Sequence, residues 1–205
     1  ILMRKAAVRD KITFGTYEQD NVTSNGTEDI EWLVLAKENN KILVISDKAL
    51  DSQPYNEKRQ SITWEQCSLR KWLNDSFLNA AFSEEERALI QNTTVPADKN
   101  PSYNTSPGNA TTDKVFLLSI NEAKKYFNSN DARKCAPTAY AKAQGANTNN
   151  TNKTPSGADA CWWWLRSPGN YQNYAAHVLS DVYYRGYNIN YDHFCVRPAL
   201  WISIE

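Results

Sequence analysis

Two apolar runs near the end of the chain, residues 161–166 (CWWWLR) and 196–204 (VRPALWISI), enclose residues 170–195, NYQNYAAHVLSDVYYRGYNINYDHFC. Both runs read as strands, so the tract between them is anchored at its two ends. Three consecutive tryptophans cannot share one face of a strand, because successive side chains point to opposite sides. Trp162 and Trp164 fall together and Trp163 falls opposite. Trp164 is expected in the core, and Trp163 is expected to support a surface formed by the tract. Ser167, Pro168 and Gly169 mark a turn, and Pro198 is best tolerated near a strand start or on an edge.

Upstream, residues 11–17 predict a first strand and residues 18–29 a polar turn or loop. Residues 30–36 (IEWLVLA) and 41–46 (KILVIS) predict a hairpin. Imperfect alternation in its first arm implies burial on much of both faces. Residues 47–62 read as an irregular link. Thr63 and Gln66 have the spacing of a capping box in front of Leu69, Trp72, Leu73 and Phe77, which recur at helical spacing. Ser83 with Glu86 and Ser119 with Glu122 repeat that spacing, predicting short helices through Ile90 and Phe127. Residues 115–118 predict a strand. Residues 91–112 and 141–160, rich in Asn, Thr, Pro, Ser and Gly, predict long loops. The terminal segments read as strands of one sheet, and 205 residues fit one large domain, residues 1–205.

Composition narrows the function classes. Lys plus Arg is 23 and Asp plus Glu is 23, giving zero formal charge; no basic stripe supplies phosphate affinity, so no nucleic-acid partner is expected. The absence of an apolar run of about 18 residues argues against a spanning helix and direct membrane insertion. Four cysteines, at 67, 135, 161 and 195, form no short metal-ligand cluster and are expected as free buried thiols. The opening ILMRKAAVRD lacks the apolar region and cleavage site of a secretory leader. The sequence leaves the setting open, with cell-surface, secreted and phage-associated as the candidates.

The order of these segments resembles a bacterial domain family, DUF6273. The resemblance rests on residues 12–17, 30–35, 63–73 (TWEQCSLRKWL), 77–82 (FLNAAF), 164–169 (WLRSPG), 173–176 (NYAA) and 196–201 (VRPALW). It implies an α+β, C-type-lectin-like fold, with antiparallel sheets, two or three helices and long irregular loops. A more distant resemblance runs to the formylglycine-generating-enzyme group. The tract 170–195 also resembles the variable region of lectin-fold proteins rewritten by diversity-generating retroelements. In such proteins mutated adenines turn Asn codons into Tyr, Asp, His, Ser and similar residues.

Tyrosine presents a large contact area with few rotatable bonds, and Asn, Asp and His add adaptable polar contacts. With 11 Tyr and 7 Trp against 6 Phe, the chain favours rings that carry a polar handle. The expected ligand-binding residues are Tyr171, Tyr174, His177, Tyr183, Tyr184, Tyr187, Asn188, Asn190, Tyr191, Asp192 and His193. Trp163, Trp164, Arg166 and Arg197 are expected to give structural support, the arginines through carboxylate or backbone carbonyl contacts. The alternative is internal packing of Tyr174, Tyr187 and Tyr191 beneath a polar meander.

No catalytic residue is expected: the two histidines, His177 and His193, lack metal-site spacing, and no base accompanies Cys161 or Cys195. Asp181, Asn188, Asn190 and Asp192 offer oxygens without a compact calcium motif, so no metal or cofactor is expected. The expected function is non-enzymatic binding of a protein or glycan on a cell, phage or host surface, with the oligomeric state open. A fixed structural or surface-associated recognition module is the alternative, and an enzyme related to the formylglycine-generating group comes third.

Overall fold

A computed structural model describes residues 3–204. In chain order, β1 (Lys11–Tyr17), β2 (Glu28–Glu38) and β3 (Lys41–Ser46) precede β4 (Asp51–Ser52). A helical segment follows, made of α1 (Ser68–Trp72), a π-helical turn at Leu73–Phe77 and α2 (Leu78–Ala81). Then come α3 (Glu84–Leu89), β5 (Thr93–Val95), β6 (Thr111–Asp113), α4 (Ile120–Tyr126), α5 (Asn130–Arg133) and α6 (Ala139–Ala143). The last third is extended: β7 (Thr148–Lys153), β8 (Asp159–Cys161), β9 (Trp163–Pro168), β10 (Tyr174–Val178), β11 (Val182–Asn188), β12 (Cys195–Val196) and β13 (Ala199–Ser203).

The fold is α+β, with short helices around antiparallel sheets. One sheet has the order β1-β2-β3-β13, so strands from the two ends of the chain share it, and the other has the order β11-β10-β9-β12-β4. Among the pairings of these two sheets only β9 with β12 is parallel, at Cys195 and Trp163. The chain crosses from the second sheet to the first between β12 and β13, at Arg197 and Pro198. Proline has no N–H to give a ladder, which suits that break, and its carbonyl accepts from Ser46 N at 3.0 Å. One hydrophobic cluster runs from Ala6 to Ile204 and packs both sheets. Trp32, Trp163, Trp164, Phe77 and Phe127 are its largest wholly buried side chains. Each such aromatic contributes about 2–3 kcal/mol by leaving water.

A bulge explains the imperfect alternation of β2. Val34 pairs with Val44 and Ala36 with Leu43, so Leu35 is extra and both Val34 and Leu35 are buried. The capping boxes at Ser83 and Ser119 are present in both directions; these helices end one residue earlier than expected, with Ile90 and Phe127 as C-caps.

Four local expectations need correction. Thr63 makes no cap hydrogen bond; the backbone forms a 3-10 turn at Trp64–Gln66, and Cys67 Sγ instead accepts from Arg70 N at 3.4 Å. Residues 115–118 are buried but form only an isolated bridge, Phe116 with Ala199, because Leu117 and Leu118 carbonyls go to Arg166. The link at 47–62 contains β4, the loop at 91–112 contains β5 and the start of β6, and the loop at 141–160 contains the end of α6, β7 and the start of β8. The tryptophan run is interrupted at Trp162, between β8 and β9.

Candidate functional site

The tract is a β-hairpin followed by a return loop. β10 lies between β9 and β11, with Tyr174 opposite Asn188, Ala175 opposite Tyr187, His177 opposite Tyr183 and Val178 opposite Val182. Directly opposed residues share a sheet face. His177, Tyr183 and Tyr187 therefore lie on one face, and Tyr174 and Asn188 on the other. Tyr184, one residue from Tyr183, also falls on that second face, where Lys124 Nζ lies 5.3 Å from its ring. A register shift between Ala175 and His177 bends the hairpin. It requires Gly186, at φ +74°, where an added Cβ would come 2.2 Å from the Ala175 carbonyl oxygen.

Phe194 organises the first face. Its ring lies 4.9 Å from Trp164, 6.1 Å from Trp162, 4.7 Å from His177, 5.5 Å from Tyr187 and 5.0 Å from Tyr191. Tyr191 in turn meets Tyr187 at 4.8 Å and His193 at 5.3 Å. The first face thus brings together Tyr183, Tyr187, Tyr191 and His193 over a floor of His177, Phe194 and Trp164. Tyr171 and Tyr174 form a separate edge-on pair at 5.3 Å.

Exposure sorts these residues. Tyr171 is 60 % exposed, Tyr183 45 % and Tyr187 43 %, while His177 is 6 % exposed. Asn190, Asp192 and His193 are exposed, and Tyr174, Tyr184, Asn188 and Tyr191 are half-buried. His177 is thus placed beneath the surface, stacked on Tyr183 at 4.9 Å and 14°. Burial lowers its pKa to about 4, so the ring is neutral at pH 7.

The loops fix the tract from behind. Asn100 Nδ2 donates to the Pro168 and Tyr184 carbonyls at 2.9 and 2.8 Å, and Thr105 Oγ1 donates to Gly169 O at 2.8 Å. Gln172 Nε2 donates to Ile62 O at 3.1 Å and to Ser106 O at 2.9 Å. On the return loop, Ser52 Oγ donates to Asp192 O at 2.9 Å, Asn147 Nδ2 to Tyr191 Oη at 2.9 Å, and His193 Nδ1 to Gly145 O at 2.7 Å.

Of the expected supports, Trp164 lies under the tract and its Nε1 donates to Gln53 O at 2.9 Å. Trp163 lies elsewhere, against Phe127 at 6.3 Å and Arg197 at 5.0 Å. The neighbour of Phe194 that sequence reasoning passed over is Trp162; the two rings are parallel to within 12°. Arg185, exposed between Tyr183 and Tyr187, was also missed. The two-residue period of VYYRGYN carries the signal for it. Arg166 is held by Glu122 through both carboxylate oxygens, by the Leu117 carbonyl at 2.9 Å and by Pro96 O at 3.1 Å.

All four cysteines are buried and free. Burial pushes the Cys135 and Cys161 thiols well up. That direction is opposite to the activation a nucleophilic thiolate needs. Among the described residues one carboxylate group, Glu18, Asp20 and Glu28, is close enough to share a cation. Local donors already occupy it: Asn25 Nδ2 reaches Asp20 at 2.7 Å, and Gln19 N reaches Glu28 at 2.7 Å. Among the described residues no helix is long and apolar enough to cross a membrane.

Comparison with curated proteins finds no match, and comparison with solved structures finds none either. The profile of one family, described as "Domain of unknown function (DUF6273)", matches residues 39–204. That span includes both apolar runs and the whole polar-aromatic tract, and the chain belongs to the DUF6273 family.

Proposed function

We propose that this chain is a non-enzymatic recognition module of C-type-lectin-like type, whose 170–195 hairpin and return loop bind a protein or glycan on a cell, phage or host surface. One observation carries this reading. Among the described residues the large hydrophobic side chains that stand exposed are Val8, Val22, Tyr171, Tyr183 and Tyr187, and the three tyrosines all belong to the tract. Aromatic side chains held on a fixed backbone lose little entropy when they bind, and polar neighbours supply hydrogen bonds. Asn190, Asp192 and His193 are those neighbours. Recognition is non-covalent and runs without a metal or cofactor.

The reading includes diversification of the tract by a retroelement. Exposed residues of the kinds that adenine mutation of an Asn codon yields, such as Tyr183, Tyr187, Asp192 and His193, are interspersed with buried Ala175, Val178, Ile189 and Cys195, so many faces fit one scaffold. Deep sequencing of the locus across a clonal population tests this. Substitutions concentrated at template adenines, and at Tyr171, Tyr183, Tyr187, Asn190, Asp192 and His193 in preference to the buried positions, are expected. A uniformly unchanged tract removes diversification and leaves a fixed surface-associated recognition module.

A further inference from the structure

Arg166 and Arg197 are both buried, at 4 % and 2 % exposure, and each stands just before a proline-containing exit from the second sheet. They differ in charge compensation. Arg166 is matched by Glu122, with Asp98 at 3.7 Å. Arg197 forms no ion pair among the described residues. Its Nε donates to Ser46 O at 2.8 Å, but Nη1 and Nη2 reach the Arg133 and Asp47 carbonyls only at 3.4 Å. The rings of Trp163 and Phe127 lie 5.0 and 5.3 Å from Cζ. Carbonyls and ring faces soften the charge, and a guanidinium this deep still favours an oxyanion that accepts from both of its terminal nitrogens.

Arg197 lines a cavity of about 220 Å³. The other cationic side chains on its wall are Lys11, Lys48 and Lys134, and the carboxylates are Asp47 and Asp131. Both carboxylates are already engaged, Asp47 by Lys11 at 3.1 Å and Asp131 by Lys134 at 2.8 Å. That leaves Arg197 and the exposed Lys48 without an anionic partner among the described residues. Thr154 and Ser156 also belong to the wall; their hydroxyls share a hydrogen bond at 3.0 Å, which leaves one O–H of the pair to donate. No residue of the 170–195 tract lines this cavity.

We propose that this cavity binds a small oxyanion, a phosphate or carboxylate group, between the Arg197 guanidinium and the Lys48 ammonium. The cavity floor supplies a fixed, planar donor, and Lys48 closes the charge from the solvent side. Binding at this place is separate from recognition by the tyrosine face and stands or falls independently of it.

Calorimetry with inorganic phosphate and with acetate, at ionic strength matched with chloride, tests the proposal on the intact chain. Side-chain Nε–Hε resonances of Arg197 and Arg166 give a local readout. Binding of at least one of the two anions is expected, with Arg197 shifting and the carboxylate-paired Arg166 still. The phosphate and acetate arms identify which oxyanion is taken. Lys48→Ala, at an exposed position, is expected to keep the fold and weaken binding about tenfold, the worth of a charge-assisted hydrogen bond. No binding by either anion, equal shifts at both arginines, or an unchanged affinity in Lys48→Ala overturns the proposal.

Discussion

The Phe194 ring lies 4.7 Å from the imidazole of His177, which is covered on its other contact by Tyr183 at 4.9 Å. A residue typical of recognition surfaces is thereby turned into a buried, neutral spacer between the sheet and an exposed tyrosine. The pH dependence of stability follows from that placement.

His177 has a pKa near 4 in the fold against 6.5 for an unperturbed histidine. The unfolded chain takes up the proton first, so its contribution to stability is whole above pH 6.5 and is lost as pH falls towards 4. The full loss is about 3 kcal/mol. Asp51, whose pKa burial raises, works in the opposite sense. Denaturation curves of wild type and His177→Phe across this range isolate the histidine: the difference between them is expected to change by about 3 kcal/mol, with the variant the less acid-sensitive.

Phe194 joins Trp164 of β9 and Trp162, which precedes that strand, to the tract. Phe194→Ala removes that joint and is expected to cost about 3–5 kcal/mol in urea unfolding. A cost below about 1 kcal/mol contradicts its central position.

Gly186 tests the hairpin bend. At φ +74° with the Ala175 carbonyl in the way of a Cβ, Gly186→Ala is expected to lose about 2–4 kcal/mol through strain and overpacking. Gly157, at φ +90° with nothing within 4 Å of its added Cβ, is the control. Gly157→Ala bears the backbone cost alone, about 1–2 kcal/mol. Equal thermal shifts in the two variants contradict the close approach at the bend.

The Arg166–Glu122 pair separates charge from capping. Glu122→Gln keeps an N3 residue able to complete the box with Ser119, and removes the carboxylate that compensates a buried guanidinium. The expected loss is about 2–3 kcal/mol, less than a full buried-pair break because Asp98 remains nearby. An unchanged stability assigns Glu122 to the cap alone.

Features written in adjacent residues were legible in the sequence. The first strand, residues 11–17, has the same bounds as β1, and Ser83 and Ser119 cap the helices their spacing announces. Thr63 carries the same spacing and fails, because the chain turns as a 3-10 helix and hands the cap to Cys67. β4 is two residues long and owes its existence to Cys195 and Val196, far away in sequence, so no local pattern marks it. The tract was visible by composition, and its strand period separates Tyr183 and Tyr187 from Tyr184. Which tryptophan supports it was not visible. That depends on β9 lying beside β10 and β12, which puts Trp164 against Phe194 and sends Trp163 towards Arg197.

Binding to arrays of glycans and purified surface proteins, for wild type and for the triple variant Tyr171→Ser/Tyr183→Ser/Tyr187→Ser, tests the recognition face most directly. The account predicts a ligand held by wild type and weakened at least about tenfold in the triple variant, with the variant's fold intact by circular dichroism. A ligand held equally by both proteins contradicts it.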